Sequence, residues 1–298
     1  MKLILRFFIV VLFCIACFLQ SQYANSAKWF PLVSGNVGCS QATSWLGRVS
    51  TSNSTAYTTL ICYLVNNNSV WTSLDDLHIF ATDSTTNALL NLVSTNSSAT
   101  VHGTPTFTSN VGYTGTDASS TIFIDTGYNP SSFGGNYTQN SAHIGIWSNT
   151  NAASSASGGF AFGISTNASY ERIFPKYSDG NFHGEINQNS TFSGPSIANS
   201  KGHFLNNRSG VNAVQYYQNA SVFTSSTVTS FAVYANATTA ADFFVLAGQQ
   251  DGAGTTGSAL QIMGYSVGGN LTSAQVTTLC HGLNVYFTTV AGISSGTC

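Results

Sequence analysis

His143-Ile144-Gly145-Ile146-Trp147, then Gly159-Phe160-Ala161-Phe162-Gly163-Ile164 and the run from Tyr170 to Tyr177, set the texture of most of the chain. Each is a short apolar or alternating run bounded by Gly, Asn, Ser or Thr. Alternation at period two sends successive side chains to opposite faces of a strand. The same texture extends outward to Thr121-Ile122-Phe123-Ile124 on one side. On the other it continues through Gly202 to Asn206, Ala213 to Tyr217, Asp242 to Ala247 and Leu260 to Val267. Turn signals such as Asp179-Gly180-Asn181 and Ser209-Gly210 separate the runs. Many short strands, Gly-rich turns and no helices between them predict a mainly β protein, an antiparallel β-sandwich or barrel.

Helical patterns flank this region. In Thr55 to Asn67, Leu60, Ile61, Leu64 and Val65 fall at helical spacing. Ser73-Leu74-Asp75-Asp76 opens a second short helical pattern, with Leu74, Leu77 and Ile79 apolar. Near the end, Thr272 can cap and Gln275 can close a capping box, while Leu271 is placed to staple against Val276. Val276, Leu279, Leu283, Tyr286 and Val290 then form one apolar stripe. It predicts an amphipathic C-terminal helix lying on the sandwich.

Composition narrows the function classes. The 298 residues are 43% hydrophobic, 12% aromatic and only 6% charged. Disorder requires low hydrophobicity with high net charge, so it is excluded. Eight Lys and Arg in the whole chain cannot supply the clustered cations that nucleic-acid binding needs. Lys2 and Arg6 flank the start of an apolar run, Leu3 to Leu19, and small residues follow at Ala24-Asn25-Ser26-Ala27. This is the pattern of a secretory signal peptide. It predicts a leader at 1–26, an N-terminal loop and helix segment at 27–72, and a sandwich with its terminal helix at 73–298. The expected location is secreted or cell-surface, with no membrane segment once the leader is removed. Cys14 and Cys17 leave with the leader. Cys39, Cys62, Cys280 and Cys298 remain, an even number in an exported chain, which reads as two disulfides. Three pairings exist; Cys39–Cys62 with Cys280–Cys298 is preferred because each closes a short loop. No pair among these four has zinc-site spacing.

Several stretches resemble a family of phage-associated and bacterial concanavalin A-like proteins. They are Val70-Trp71-Thr72-Ser73-Leu74-Asp75-Asp76-Leu77-His78-Ile79-Phe80-Ala81, Ile124-Asp125-Thr126-Gly127-Tyr128-Asn129-Pro130, and Asn136-Tyr137-Thr138-Gln139-Asn140-Ser141-Ala142-His143. His203-Phe204-Leu205-Asn206-Asn207-Arg208-Ser209-Gly210 and the closing Gly268-Gly269-Asn270-Leu271-Thr272-Ser273-Ala274-Gln275 complete the likeness, which spans about Thr55 to Val290. The resemblance implies a jelly roll of two antiparallel sheets, similar to laminin-G and legume-lectin modules, that engages glycans on virions or cell surfaces. It supplies no catalytic residues. Related sandwich modules often carry calcium, for which Asp125, Asn129 and loop carbonyls would be the hard oxygen ligands.

Glycan recognition needs flat aromatic faces for sugar rings and planar amides for hydroxyls, not net charge. The candidate ligand-binding residues are Trp147, Tyr128, Tyr137, Tyr216 and Tyr217, with Asn136 and Asn140 from the neighbouring loop. On a strand, Tyr216 and Tyr217 face opposite ways, so one of them is expected on the sheet surface. His143 begins a core-like strand and reads as a structural hydrogen bonder. A glycosidase would need paired carboxylates, but Asp75 and Asp76 are adjacent in a helical pattern. Asp179 and Glu185 come nearest, but a turn separates them; His183 and Glu185 share a strand face, with Arg172 or Tyr177, and are the alternative acid–base pair of a lyase or hydrolase. Their simpler reading is a solvated hairpin face. Gly252 to Gly257, with no basic residue following, reads as a surface turn. The sequence therefore favours a secreted, non-catalytic module that binds carbohydrate or a surface partner. The alternatives are a structural or adhesive protein of a phage-like particle or cell surface, and a polysaccharide-degrading enzyme.

Overall fold

Residues 38–298 are described by a computed structural model, apart from 118, 134, 153–159, 166–168, 233–241, 251–252 and 295–297. The expected leader at 1–26 lies outside the described residues. The chain begins with helices α1 (Ser40–Leu46), α2 (Ser54–Asn66) and α3 (Val70–Ser73), strand β1 (Leu74–Ile79) and a short helix α4 (Thr85–Ala88). Strands β2 (Thr100–His102), β3 (Thr106–Thr108), β4 (Gly112–Thr114), β5 (Phe123–Asp125), β6 (Ala142–Ser148), β7 (Phe162–Ser165), β8 (Tyr170–Phe174) and β9 (Asn181–Gln188) follow. Then come β10 (Ser193–Ser196), β11 (Gly202–Gly210), β12 (Ala213–Gln218), β13 (Ser221–Ser226), β14 (Phe244–Val245), β15 (Ala247–Gln250), β16 (Ala253–Gly257) and β17 (Gln261–Gly268). Helix α5 (Ser273–Ala291) closes the fold.

The strands form two sheets. One has eight strands in the order β13-β12-β11-β6-β17-β4-β3, with β1 also on β17; the other has nine, in the order β10-β9-β8-β7-β14-β5-β2, with the β15–β16 hairpin beside β7. The strand pairs are antiparallel except β15 with β7. Period-two alternation sorts the side chains. Ile144 and Ile146 of β6, Phe204 of β11, Ile164 of β7, Ile173 of β8 and Phe182 of β9 fill the layer between the sheets. Trp147, Leu205 and Tyr217 point the other way, into a second core shared with α1, α2, α3 and α5. The described residues are thus three layers deep: helices, eight-stranded sheet, nine-stranded sheet.

The C-terminal helix follows its sequence pattern. Thr272 and Gln275 form the capping box, and Val276, Leu279, Leu283 and Tyr286 are buried. Gly282 lets α2 come close; a Cβ there would sit 3.0 Å from the Tyr63 ring and 3.3 Å from the Leu60 and Leu64 side chains. The Asn207 amide donates to the Leu271 carbonyl and accepts from its N–H, both at 2.8 Å, tying the helix entry to β11. Cys39 is bonded to Cys62 and Cys280 to Cys298, the preferred pairing. Among the described residues no helix is long and apolar enough to cross a membrane.

Two local expectations are corrected. Leu74 to Ile79 is a strand, not a helix. A bulge between Leu74 and Asp76 resets the alternation, so Leu74, Leu77 and Ile79 all reach the helical layer and imitate helical spacing. Asp76 and His78 face the opposite core instead. His78 Nδ1 lies 2.7 Å from Asp76 Oδ1 and 2.7 Å from the Tyr265 hydroxyl. Ala253 to Gly257 is also a strand, β16, because pairing with β15 satisfies its backbone.

Candidate functional site

Because helices cover the outer face of the eight-stranded sheet, the outer face of the nine-stranded sheet is where strand side chains meet solvent. Tyr170, Arg172 and Phe174 alternate outward along β8, while Ile173 points into the core. The Arg172 guanidinium lies 4.4 Å from the centre of the Tyr170 ring, 5.4 Å from Phe174 and 5.5 Å from Phe160. Phe160 and Phe174 are themselves 4.6 Å apart. Such cation–ring contacts hold a guanidinium flat against its platform.

Across the strand pair, Arg172 is in register with Glu185 of β9. Arg172 Nε donates to Glu185 Oε2 at 2.7 Å, and the Phe192 N–H donates to Glu185 Oε1 at 2.8 Å. A bulge in β9 between these positions and the Tyr170–Gln188 pair, with Asn187 at φ +48°, fixes this register. Gly163 of β7 sits at φ +135°, where a Cβ would collide with the Glu171 carbonyl and Arg172 backbone. Beneath the face, Asn206 of β11 reaches across the core. Its amide donates to the carbonyls of Arg172 at 2.9 Å and Glu185 at 3.1 Å. Arg208 of the same strand, fully buried, donates to the Ile186 carbonyl at 2.9 Å. The opposite sheet therefore anchors the backbone that carries the site.

The β8–β9 turn completes the face. Asp179 accepts from the Asn181 N–H at 2.8 Å, which tightens the turn. Its other oxygen is 2.9 Å from His183 Nε2. That contact, above all, holds the Asp179 carboxyl below the usual range. The Tyr177 ring lies 4.6 Å from His183 and 5.3 Å from Phe174. Tyr170 and Tyr177 are partly exposed, whereas Phe160 and Phe174 are buried and support them, so the face offers two tyrosine rings and paired charges. It is suited to stacking and hydrogen bonding and carries little net charge.

His183, Glu185, Arg172, Tyr177 and Asp179 are thus brought together on one face, as their spacing suggests. The face is not simply solvated, because Glu185 is fully buried and both its oxygens are engaged. The other sequence candidates lie elsewhere. Trp147 and Tyr217 are under the helical layer, and Tyr128, Tyr137 and Tyr216 are between the sheets, all at most 4% exposed. Tyr216 and Tyr217 do face opposite ways, but α5 covers the surface on which one was expected to be free. The Tyr128 hydroxyl donates to Asp75, and the Tyr137 hydroxyl to Asn187. Asn136 is turned onto Asp75 and the Thr72 carbonyl, whereas Asn140 is exposed in the turn from Thr138 to Ser141. His143 hydrogen-bonds the Gly269 carbonyl at 2.6 Å, and burial pushes its pKa down to about 4.

Asp125 caps the Gly127 N–H and shares a hydrogen bond with Asp242, a partner that sequence distance concealed. Burial, together with the Asp125 charge, raises Asp242 to about 6. Asn129 closes a turn onto Ser131. Sequence reading also missed Phe160, Tyr170, Phe174 and Asn206. The Tyr170-x-Arg172-x-Phe174 alternation was the available signal for the platform.

No protein-family model matches the chain, and no curated protein does. Solved structures do share its fold. It is similar to the binding domain of botulinum neurotoxin serotype D (9% identity, TM-score 0.52, 72% of this chain and 52% of that one). It is also similar to the receptor-binding domain of the botulinum neurotoxin C/D mosaic serotype (12% identity, TM-score 0.50, 70% and 51%). Domain 4 of AbnA, a GH43 extracellular arabinanase from Geobacillus stearothermophilus solved with arabinotriose, aligns over 98% of its own length and 70% of this chain (15% identity, TM-score 0.45). The chain spans about half the length of the two toxin structures. At these identities the likeness is one of fold, the β-sandwich.

Proposed function

We propose that the chain is a secreted, non-catalytic, concanavalin A-like module that binds a neutral carbohydrate on the outer face of its nine-stranded sheet. The observation that carries this reading is the pair of partly exposed rings, Tyr170 and Tyr177, backed by buried Phe160 and Phe174 around an Arg172–Glu185 pair whose charges cancel. Apolar C–H faces of sugar rings suit the aromatic surfaces, and their hydroxyls suit Arg172, His183 and Asp179. The leader at 1–26 and both disulfides suit an exported protein. Two of the fold relatives are described as binding or receptor-binding domains, and the fold alone does not carry that role over.

The meeting of His183 with Asp179 and Tyr177 favours one second reading, a polysaccharide lyase or hydrolase. Binding is preferred because Glu185, the buried carboxylate of the face, has both oxygens committed to Arg172 and the Phe192 N–H. A glycan array probed with the secreted chain, with and without calcium, tests the proposal. Retention of a neutral polysaccharide without release of reducing ends or unsaturated products is expected. Binding to no glycan in either condition would overturn it. Product release abolished by Glu185→Gln would replace it with the enzyme reading.

A further inference from the structure

On the opposite side of the molecule, α1, α3 and the segment after Leu92 line an open cleft of about 480 Å³. This volume lies within the roughly 300–1,000 Å³ of small-molecule sites. Its walls include Trp45, Trp71, Arg48, Gln41, Ser44 and Thr95. Trp71 is half-buried and offers a ring to the space, while hydroxyls and an amide supply hydrogen bonds. Arg48 is stacked 5.0 Å over the Trp45 ring. Its Nη2 donates to the carbonyls of Asn91 at 3.0 Å and Ser94 at 3.4 Å. Among the described residues, Nε and Nη1 have no partner, no carboxylate pairs with this guanidinium, and none lines the cleft. The buried Trp45 Nε1 is likewise without a partner among the described residues. The Cys39–Cys62 bond links the start of α1 to α2, so this wall is preformed.

We infer that this cleft is a second binding site, for a short acidic saccharide whose carboxylate meets Arg48 and whose ring lies against Trp71. An uncompensated guanidinium with donors left over, in a pocket of hydroxyls and indoles, is complementary to a sugar carboxylate. It differs from the outer sheet face, where Arg172 is already neutralised by Glu185. The inference stands apart from the proposed function, since the two sites share no residue.

Titration calorimetry of the full secreted chain with a digalacturonate, beside its neutral counterpart galactobiose, tests the assignment. Digalacturonate is expected to bind at least tenfold more tightly than galactobiose and to change the tryptophan fluorescence. Arg48→Gln and Trp71→Ala are each expected to weaken it at least tenfold, and Tyr177→Ala to leave it unchanged. Trp71 is only partly buried, so its variant serves if Arg48→Gln fails to fold. No binding of digalacturonate, equal binding of galactobiose, or wild-type affinity in Trp71→Ala would overturn the inference.

Discussion

His203 shows how a single buried side chain ties stability to pH. Its ring stacks on Trp147 at 4.0 Å, and neither nitrogen has a hydrogen-bond partner among the described residues. Burial, with nearby His143 adding to it, lowers its pKa to about 3, and burial lowers His143 to about 4. Both are depressed from an ordinary 6.5, so below that pH the unfolded chain takes up protons that the folded chain refuses. Stability is fully present above pH 6.5 and is lost toward pH 4, by about 1.4 kcal/mol per pH unit for each ring. Asp242, raised to about 6, works in the opposite direction between its ordinary 3.8 and 6. His203→Phe keeps the stacking and removes the titration. Denaturant unfolding at pH 7, 6 and 5 is expected to show a shallower acid loss, by about 1.4 kcal/mol per unit, with no loss at pH 7. Arg172→Ala leaves Glu185 buried without its cation and is expected to cost about 3–5 kcal/mol. Arg172→Ala with Glu185→Gln should recover part of that loss, which a double-mutant cycle measures.

At the level of elements, the terminal helix is the most legible part of the chain. Its capping box, apolar stripe and position on the sandwich all follow from the order of residues 271–290. Thr272→Ala removes the cap and is expected to lower stability by about 1 kcal/mol in thermal or urea unfolding, leaving the fold intact. The strand texture was equally plain, because alternation is written locally. Leu74 to Ile79 misled for a definite reason: the bulge shifts parity, and the inward positions are Asp76 and His78 rather than apolar residues. The site was half legible. His183, Glu185, Arg172 and Tyr177 lie close in sequence on one hairpin, so strand periodicity groups them, although the sequence reading favours a solvated face there and places its binding candidates elsewhere. Asn206, which holds that hairpin from the other sheet, and Asp242, which meets Asp125, are joined to their partners only by tertiary packing. The buried aromatics were misjudged because periodicity assigns a residue to a face without saying which face the helices cover.

For the whole molecule, the asymmetry of the three layers is what the proposed binding face rests on. One sheet is sealed by helices, of which α1 and α2 are joined by Cys39–Cys62 while Cys280–Cys298 ties α5 to residue 298, and the other presents Tyr170, Tyr177 and paired charges outward. The bonds close loops of 23 and 18 residues' separation, each worth about 3 kcal/mol on loop entropy alone. Reduction is expected to lower the melting temperature clearly while the β-sheet circular dichroism persists below the new transition. Hydrogen–deuterium exchange, with and without a neutral polysaccharide that the array identifies, locates the recognition face most directly. The account predicts slowed exchange in β8, β9 and the turn between them, from Tyr170 to Glu185, with α1 and α5 unchanged. Slowed exchange confined to the helical layer, or none at saturating polysaccharide, would contradict it.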